Sequence, residues 1–120
     1  EYIMKHLNKK IILHRKTDQR KAFVKIMTNN LLLAGSIKTT PARAKATQIY
    51  VERLISKAKK QDLAAYRYIL ARLSKKATNK LYYEIAKDYK DRNGGFTRIV
   101  KLTERRLKDK SPIVIIQLVK

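Results

Sequence analysis

The sequence of 120 residues contains no cysteine, no tryptophan, two prolines and three glycines. Without cysteine the chain can form neither a disulfide framework nor a thiolate metal site, so folding requires neither an oxidising compartment nor zinc. It also lacks any run near the roughly 18 apolar residues that a membrane-spanning helix requires, and its first residues include no apolar segment typical of a secretory signal. The sequence therefore predicts a single domain that works in solution without membrane insertion.

Acidic residues are scarce, with nine Asp and Glu against 30 Lys and Arg, for a formal charge of +21. A surplus of this size repels itself unless a polyanion offsets it. Nucleic acid is the favoured polyanion, because a membrane partner has no apolar segment to engage.

Residue types that carry catalysis are also few. His6 and His14 have a separation that matches neither one helical face nor a known metal spacing. Glu84, Asp88 and Asp91 can share one side of a helix, but they alternate with lysines, as on an exposed ion-paired surface. The sequence predicts no enzymatic activity, no metal or other cofactor, and no small-molecule substrate.

Apolar periodicity predicts an α+β fold with four helices. The predicted starts are Asp18, Thr40 (before Pro41), Asp62 and Ser74, and Gly35 is placed to end the first helix. The third helix is expected to turn Leu63, Tyr66, Leu70 and Leu73 inward. Strand-like runs follow at 37–40, 96–102 and 113–119, with the charged loop "TERRLKDKSP" between the last two.

Two features of the chain remain open to two interpretations each. The pattern of residues 1–18 indicates either an extended basic RNA-binding arm or a disordered tail that its charge keeps soluble. In both interpretations a globular domain follows at 19–120. The pair Gly94-Gly95 predicts a tight connection with positive φ, or a backbone surface that a phosphate approaches closely.

The cations are distributed along the chain rather than concentrated on one recognition helix, which favours the surface of a folded RNA. They cluster at Lys5/Lys9/Lys10, Arg15/Lys16/Arg20/Lys21, Lys57/Lys59/Lys60 and Arg105/Arg106/Lys108/Lys110. The alternative is a free-standing basic helical protein that packages DNA or regulates transcription.

Several ordered motifs resemble the bacterial-type large-subunit ribosomal protein L17 family. They are "QRKAF" (19–23), "SIKTTPARAK" (36–45), "LISKAKKQD" (54–62), "DRNGGFTRIVKL" (91–102) and the final "IVIIQLV". The resemblance implies an α+β domain with a short mixed sheet, an arm that penetrates large-subunit ribosomal RNA near the nascent-chain exit tunnel, and neighbouring ribosomal proteins as partners. It implies RNA contacts at Lys5, His6, Arg15, Arg20, Lys38, Thr39, Lys45, Gly94, Gly95, Thr97 and Arg98. The basic clusters add Lys9, Lys10, Lys16 and Lys21.

The sequence departs from the family pattern at several positions, and these departures concern the RNA contacts of the arm and the type of ribosome to which the chain belongs. Gln19 stands where the family usually has histidine, and Ala46 stands where an acid is common. The stretch from Leu54 to Leu102 resembles α-proteobacterial members of the family most closely. Together with the altered arm, this resemblance favours a ribosome of the mitochondrial matrix, with the bacterial cytoplasm as the alternative.

Overall fold

A computed structural model describes residues 17–119. The elements are α1 (Thr17–Ala34), β1 (Ser36–Thr39), α2 (Pro41–Ala58), α3 (Leu63–Leu70), α4 (Lys75–Lys80), β2 (Thr97–Arg105) and β3 (Pro112–Leu118). The helix of α4 continues through a π-helical turn (Leu81–Ile85) into the short α5 (Ala86–Asp88). Since α4, the π-helical turn and α5 form one continuous helix, the described chain has four helices and three strands, which confirms the predicted α+β class.

Three of the four predicted helix starts are confirmed. Asp62 and Ser74 each accept a hydrogen bond from the backbone N–H three residues further on, at 2.7 and 3.2 Å. Thr40 occupies the cap position with extended backbone, although its side chain makes no capping bond. The first helix begins one residue before Asp18, so this carboxylate lies in the first turn instead of capping it. There it still interacts favourably with the positive end of the helix dipole.

The sheet has the strand order β1-β3-β2, and both pairings are antiparallel. The expectation of a mixed sheet is therefore wrong, because both edge strands run opposite to the central β3. In one row across the sheet Ile37, Ile116 and Ile99 lie side by side. Strand β2 extends to Arg105, so the first part of the predicted 103–112 loop is strand, with an irregular register after Lys101.

The helices pack on one face of the sheet and enclose a single core. Its buried residues are Leu31, Leu32, Ala44, Val51, Leu54, Ile55, Ala58, Ile69, Leu73, Ala77, Leu81, Ile85, Ala86, Tyr89, Phe96, Val114 and Ile116.

The inward face of α3 differs from the prediction. Of the residues expected to turn inward, Leu73 is buried as predicted, whereas Leu63 and Leu70 are 62% and 39% exposed. Ala65 and Ile69 are buried instead. Because alanine is small, a helix can approach its neighbours closely on the side that carries it, and α3 is rotated accordingly. The periodicity of the larger apolar residues did not indicate this rotation.

Glycine is required for its backbone conformation at two turns. Gly35 (φ +88°) ends α1 and its N–H donates to the Leu31 carbonyl at 2.7 Å, as predicted for a left-handed helix terminus. Gly95 has φ +64°, whereas Gly94 has no such conformation. A Cβ at either Gly94 or Gly95 meets no atom within 4 Å. Within the described chain the pair therefore serves the tight connection.

The turn at Gly95 delivers Phe96 into the core, where it is 1% exposed. The Phe96 N–H donates to the Glu52 carboxylate on α2 at 2.9 Å, and its carbonyl accepts from the Val119 N–H at 2.9 Å. Its ring lies 5.2 Å from that of Tyr89. One residue thereby joins α2, the last helix and the end of β3.

Replacing Gly95 with alanine should lower the free energy of unfolding by about 1–2 kcal/mol, because an L side chain is strained at positive φ. Gly94→Ala is the matched control and should change it by less than about 0.5 kcal/mol. Urea unfolding of both variants measures the difference. Equal effects of the two substitutions would show that φ is not the reason for the glycine.

Replacing Glu52 with alanine should lower the free energy of unfolding by about 1–3 kcal/mol, because the buried Phe96 N–H loses its acceptor. Glu52→Gln retains an oxygen at the same position and should cost less. Thermal and urea unfolding test the pair of variants. If Glu52→Gln destabilises as much as Glu52→Ala, the hydrogen bond to Phe96 is not what Glu52 contributes.

Candidate nucleic-acid interface

The expected RNA-contacting residues divide into two groups. Lys5, His6, Lys9, Lys10, Arg15 and Lys16 lie outside the described residues. Arg20, Lys21, Lys38, Thr39, Lys45, Gly94, Gly95, Thr97 and Arg98 lie on α1, β1, α2, the glycine turn and β2.

The sheet brings Lys38 and Arg98 onto one face. Lys38 stands in the row of Ile115 and Val100, and Arg98 stands two residues along, in the row of Gln117. Since side chains alternate between faces along a strand, both cations point away from the helices. They flank an apolar strip formed by Ile115 and Val100 on the open side of the sheet.

Neighbouring side chains hold both cations at this face. Lys38 forms an exposed salt bridge with Glu104 at 2.9 Å. Arg98 donates to the side-chain oxygen of Gln117 from Nη2 at 2.7 Å and from Nε at 3.2 Å, in the amide orientation that satisfies both groups. An exposed ion pair contributes little stability, so the Lys38 ammonium can exchange its partner at small cost.

Thr97 does not present its side chain at this surface. It is 7% exposed, and its hydroxyl has no hydrogen-bond partner among residues 17–119. On the other edge strand, Thr39 pairs with Val114, which places its side chain on the helix-facing side as well. The resemblance implies RNA contacts at both threonines, but the fold turns their side chains toward the helices, so they do not join Lys38 and Arg98.

The remaining expected residues are spread over other surfaces. Lys21 and Lys45 are exposed on α1 and α2, and Arg20 is half-buried near the start of α1. Gly94 and Gly95 are exposed at the turn, where the Gly94 carbonyl accepts from Arg92 Nε at 3.3 Å.

The sequence cluster Lys57/Lys59/Lys60 separates in three dimensions. Lys57 Nζ lies 4.9 Å from the centroid of the Tyr68 ring on α3. Lys59 turns toward the glycine connection, donates to the Arg92 carbonyl and lies 5.2 Å from the Phe96 centroid. Lys59 therefore has a structural role, and Lys57 belongs to another surface.

Sequence reasoning missed the group around Tyr68. The guanidinium carbon of Arg72 lies 3.6 Å from the Tyr68 centroid, so the ring contacts two cations. The sequence pattern that could have indicated this group is the four-residue spacing within two pairs, Arg53/Lys57 and Tyr68/Arg72. That spacing places each pair on one helical side but does not reveal that the two helices meet there.

The turn between β2 and β3 presents the fourth basic cluster in a defined conformation. Arg106 donates to Asp109 from Nε at 3.1 Å and from Nη2 at 2.6 Å, and the Ser111 N–H donates to the same carboxylate at 3.1 Å. The hydrogen bond from Arg106 is the main cause that lowers the pKa of Asp109 to about 2. Leu107 at the tip is 98% exposed.

The candidate carboxylate group differs from the expected ion-paired surface. Glu84, Asp88 and Asp91 are all exposed, but none forms a salt bridge with another described residue. Lys80 instead donates to the Leu33 carbonyl at 2.8 Å.

The described part of the chain contains neither a cluster of metal-ligating residues nor a membrane-spanning helix. Residues 17–119 contain no group of three His, Cys, Asp or Glu arranged to hold a metal ion. No helix in the same range has the length and apolarity needed to cross a membrane.

Comparison with known proteins gives consistent matches. The family model described as "Ribosomal protein L17" matches residues 23–119. The chain is 43% identical over 118 residues to "Large ribosomal subunit protein bL17" of Persephonella marina, covering 97% of this chain and 95% of the relative. It is 41% identical over 117 residues to the protein of the same name from Thermus thermophilus, covering 97% and 99%. Its identity to the Campylobacter lari protein of that name is 46% over 104 residues, covering 86% and 89%.

The carboxyl pKa of Asp109 should be about 2 in the folded chain and rise toward its ordinary value of 3.8 in an Arg106→Gln variant. Because folding depresses this pKa, the pairing stabilises the turn above about pH 4 and is lost as pH falls through 2. A carboxyl-carbon NMR titration measures both values. An unchanged Asp109 pKa in Arg106→Gln would contradict the assigned cause, and Lys108→Gln serves as the charge control.

Proposed function

The chain belongs to the ribosomal protein L17 family, and from that premise we propose that it binds and stabilises folded large-subunit ribosomal RNA through distributed contacts between its cations and RNA phosphates. As a family member it is a structural protein of the large ribosomal subunit and not an enzyme. The other implied partners are neighbouring proteins of the same subunit.

One observation carries the proposed mode of binding. Only two salt bridges join residues 17–119, Lys38–Glu104 and Arg106–Asp109. The positive charge of this part of the chain is therefore left largely for an external anion. Because exposed cations occur on both edge strands, on α1 and α2 and on the β2–β3 turn, they suit a partner that surrounds several sides of the molecule.

Contacts of this kind recognise shape more than base sequence. Lysine and arginine bound to phosphates fix position and orientation but do not distinguish bases. Structured RNA presents closely spaced phosphates and recognisable groove shapes. We infer that the globular domain fixes the position of the chain on the RNA.

The finer expectations extend this proposal. Residues 1–18 are proposed as a basic arm that enters the RNA, although Thr17 and Asp18 already belong to α1. A site near the nascent-chain exit tunnel is proposed from the family resemblance. The named relatives are bacterial proteins, which supports the bacterial cytoplasm as the location of the ribosome. None of these named relatives supports the mitochondrial preference.

The full chain should bind transcribed Thermus thermophilus large-subunit ribosomal RNA with a strong salt dependence. Each phosphate contact contributes about 0.7 to 0.9 to the slope of log affinity against log salt, so six contacts predict a slope magnitude of about 4–5. Filter binding between about 50 and 200 mM salt measures this slope.

Duplex DNA of the same total charge is the control for binding by charge alone. Tighter binding to ribosomal RNA than to DNA at every salt concentration is expected. Equal or tighter binding to DNA would support the DNA-packaging alternative, and an affinity that does not change with salt would contradict phosphate contacts.

A further inference from the structure

The surface between α2 and α3 holds two cations against one aromatic ring. The centroid of the Tyr68 ring lies 3.6 Å from the guanidinium carbon of Arg72 and 4.9 Å from Lys57 Nζ. Tyr68 is itself packed against the hydrophobic core. The ring is therefore a fixed platform, and both positive groups are held at it by cation–π attraction.

Arg72 has a defined orientation on this platform. Its Nη1 donates to the Tyr68 carbonyl at 2.9 Å, while its guanidinium lies over the ring of the same residue. A guanidinium has five N–H donors, and one of them is used by this bond. Arginine stacked in this way still presents the remaining N–H groups at its edge, in the geometry that matches two oxygens of a phosphate.

Tyr50 and Arg53 extend the site along α2. Burial raises the pKa of Tyr50, while the positive charges of Arg72 and Arg53 lower it and Tyr68 raises it. The net shift is upward, so the Tyr50 hydroxyl stays protonated at neutral pH and remains a hydrogen-bond donor close to these charged groups. Tyr50 also packs against the core, which fixes its position.

No carboxylate within residues 17–119 forms a salt bridge with Arg53, Lys57 or Arg72. The acid next to them in sequence, Glu52, instead accepts a hydrogen bond from the Phe96 N–H. Cations gathered at one ring without a counter-charge repel each other, and an external anion would remove that repulsion.

We propose that Arg72, Lys57 and Tyr68, with Tyr50 and Arg53 beside them, form a binding site for the phosphodiester backbone of structured RNA. This site lies on the α2–α3 surface and is distinct from the open face of the sheet that carries Lys38 and Arg98. The proposal rests on the proposed RNA-binding function and deepens it, because it assigns phosphate recognition to a preorganised group that the family resemblance did not indicate.

The test compares two full-length double variants that lose the same charge. Lys57→Gln/Arg72→Gln removes both cations from the Tyr68 ring. Lys75→Gln/Lys76→Gln removes two exposed lysines from the start of α4 and serves as the control. Binding to transcribed Thermus thermophilus large-subunit ribosomal RNA is measured across salt concentrations, and circular dichroism melting checks that both variants fold.

The site variant should lose about 10- to 50-fold in affinity near 0.1 M salt and about 1.4–1.8 in salt slope, as expected for two lost phosphate contacts. The control should lose markedly less. Arg72→Lys keeps the charge but loses the planar fork, so it should also lose affinity, which a purely electrostatic role of Arg72 would not cause.

Two results would overturn the proposal and can be told apart. If the unaltered chain shows no salt-dependent RNA binding, both the proposed function and this site fail. If the unaltered chain binds but the two double variants lose affinity equally, only the site fails, which is also the result expected if these cations serve an acidic protein surface.

Discussion

The excess of positive charge, which the protein's own carboxylates offset only slightly, is the feature that governs how this protein interacts with its surroundings. The chain carries a formal charge of +21, and its described carboxylates do little to offset it at the surface. Glu52 accepts from the Phe96 N–H and Asp62 caps a helix, so two acids are committed to backbone groups. The fold uses these two acids to fix its own geometry, and among the described residues only Glu104 and Asp109 form salt bridges with cations. We propose that the RNA partner neutralises most of the remaining cations. This division of roles is consistent with a ribosomal protein, whose surroundings are dense in phosphate.

The rigid parts of the fold explain how the cations are held in place. The turn at Gly95 inserts Phe96 into the core and connects β2 to α2 and to the last helix. Strand β2 then carries Arg98 on the open side of the sheet, and α2 carries Lys57 toward Tyr68. The same packing that stabilises the domain thus sets the relative positions of two cationic surfaces. A preorganised array loses less conformational entropy on binding than flexible lysines would.

Local features of the fold were predictable from the sequence, and features that depend on tertiary contact were not. Helix starts at Asp62 and Ser74 follow from side chains that bond to backbone groups three residues away, so a short stretch of sequence determines them. The inward side of α3 depends instead on how closely neighbouring helices approach, and the small Ala65 outweighed Leu63 and Leu70. The antiparallel direction of β1 relative to β3 depends on the path of the helices and of β2 between them, and no local sequence pattern determines that path.

In the candidate interface, too, the local features were predictable from the sequence and those that depend on tertiary contacts were not. The sequence indicated Lys38 and Arg98 as cations near strands, but only the strand register shows that they share a face. The sequence alone could not indicate that the hydroxyl of Thr97 turns inward. Nor could it indicate that Lys57 and Arg72 both contact the Tyr68 ring. Contacts between residues distant in sequence create these arrangements, and charge patterns along the chain do not encode them.

The most direct test of the central claim is a lysine acylation footprint, read by mass spectrometry, of the chain alone and within assembled large ribosomal subunits. The account predicts that Lys21, Lys38 and Lys57 react readily in the free chain and are strongly protected in the particle. Lys87 and Lys90, beside the exposed acids Asp88 and Asp91, should be protected least. Equal reactivity of Lys21, Lys38 and Lys57 in the free and assembled states would contradict the claim that RNA phosphates neutralise these cations.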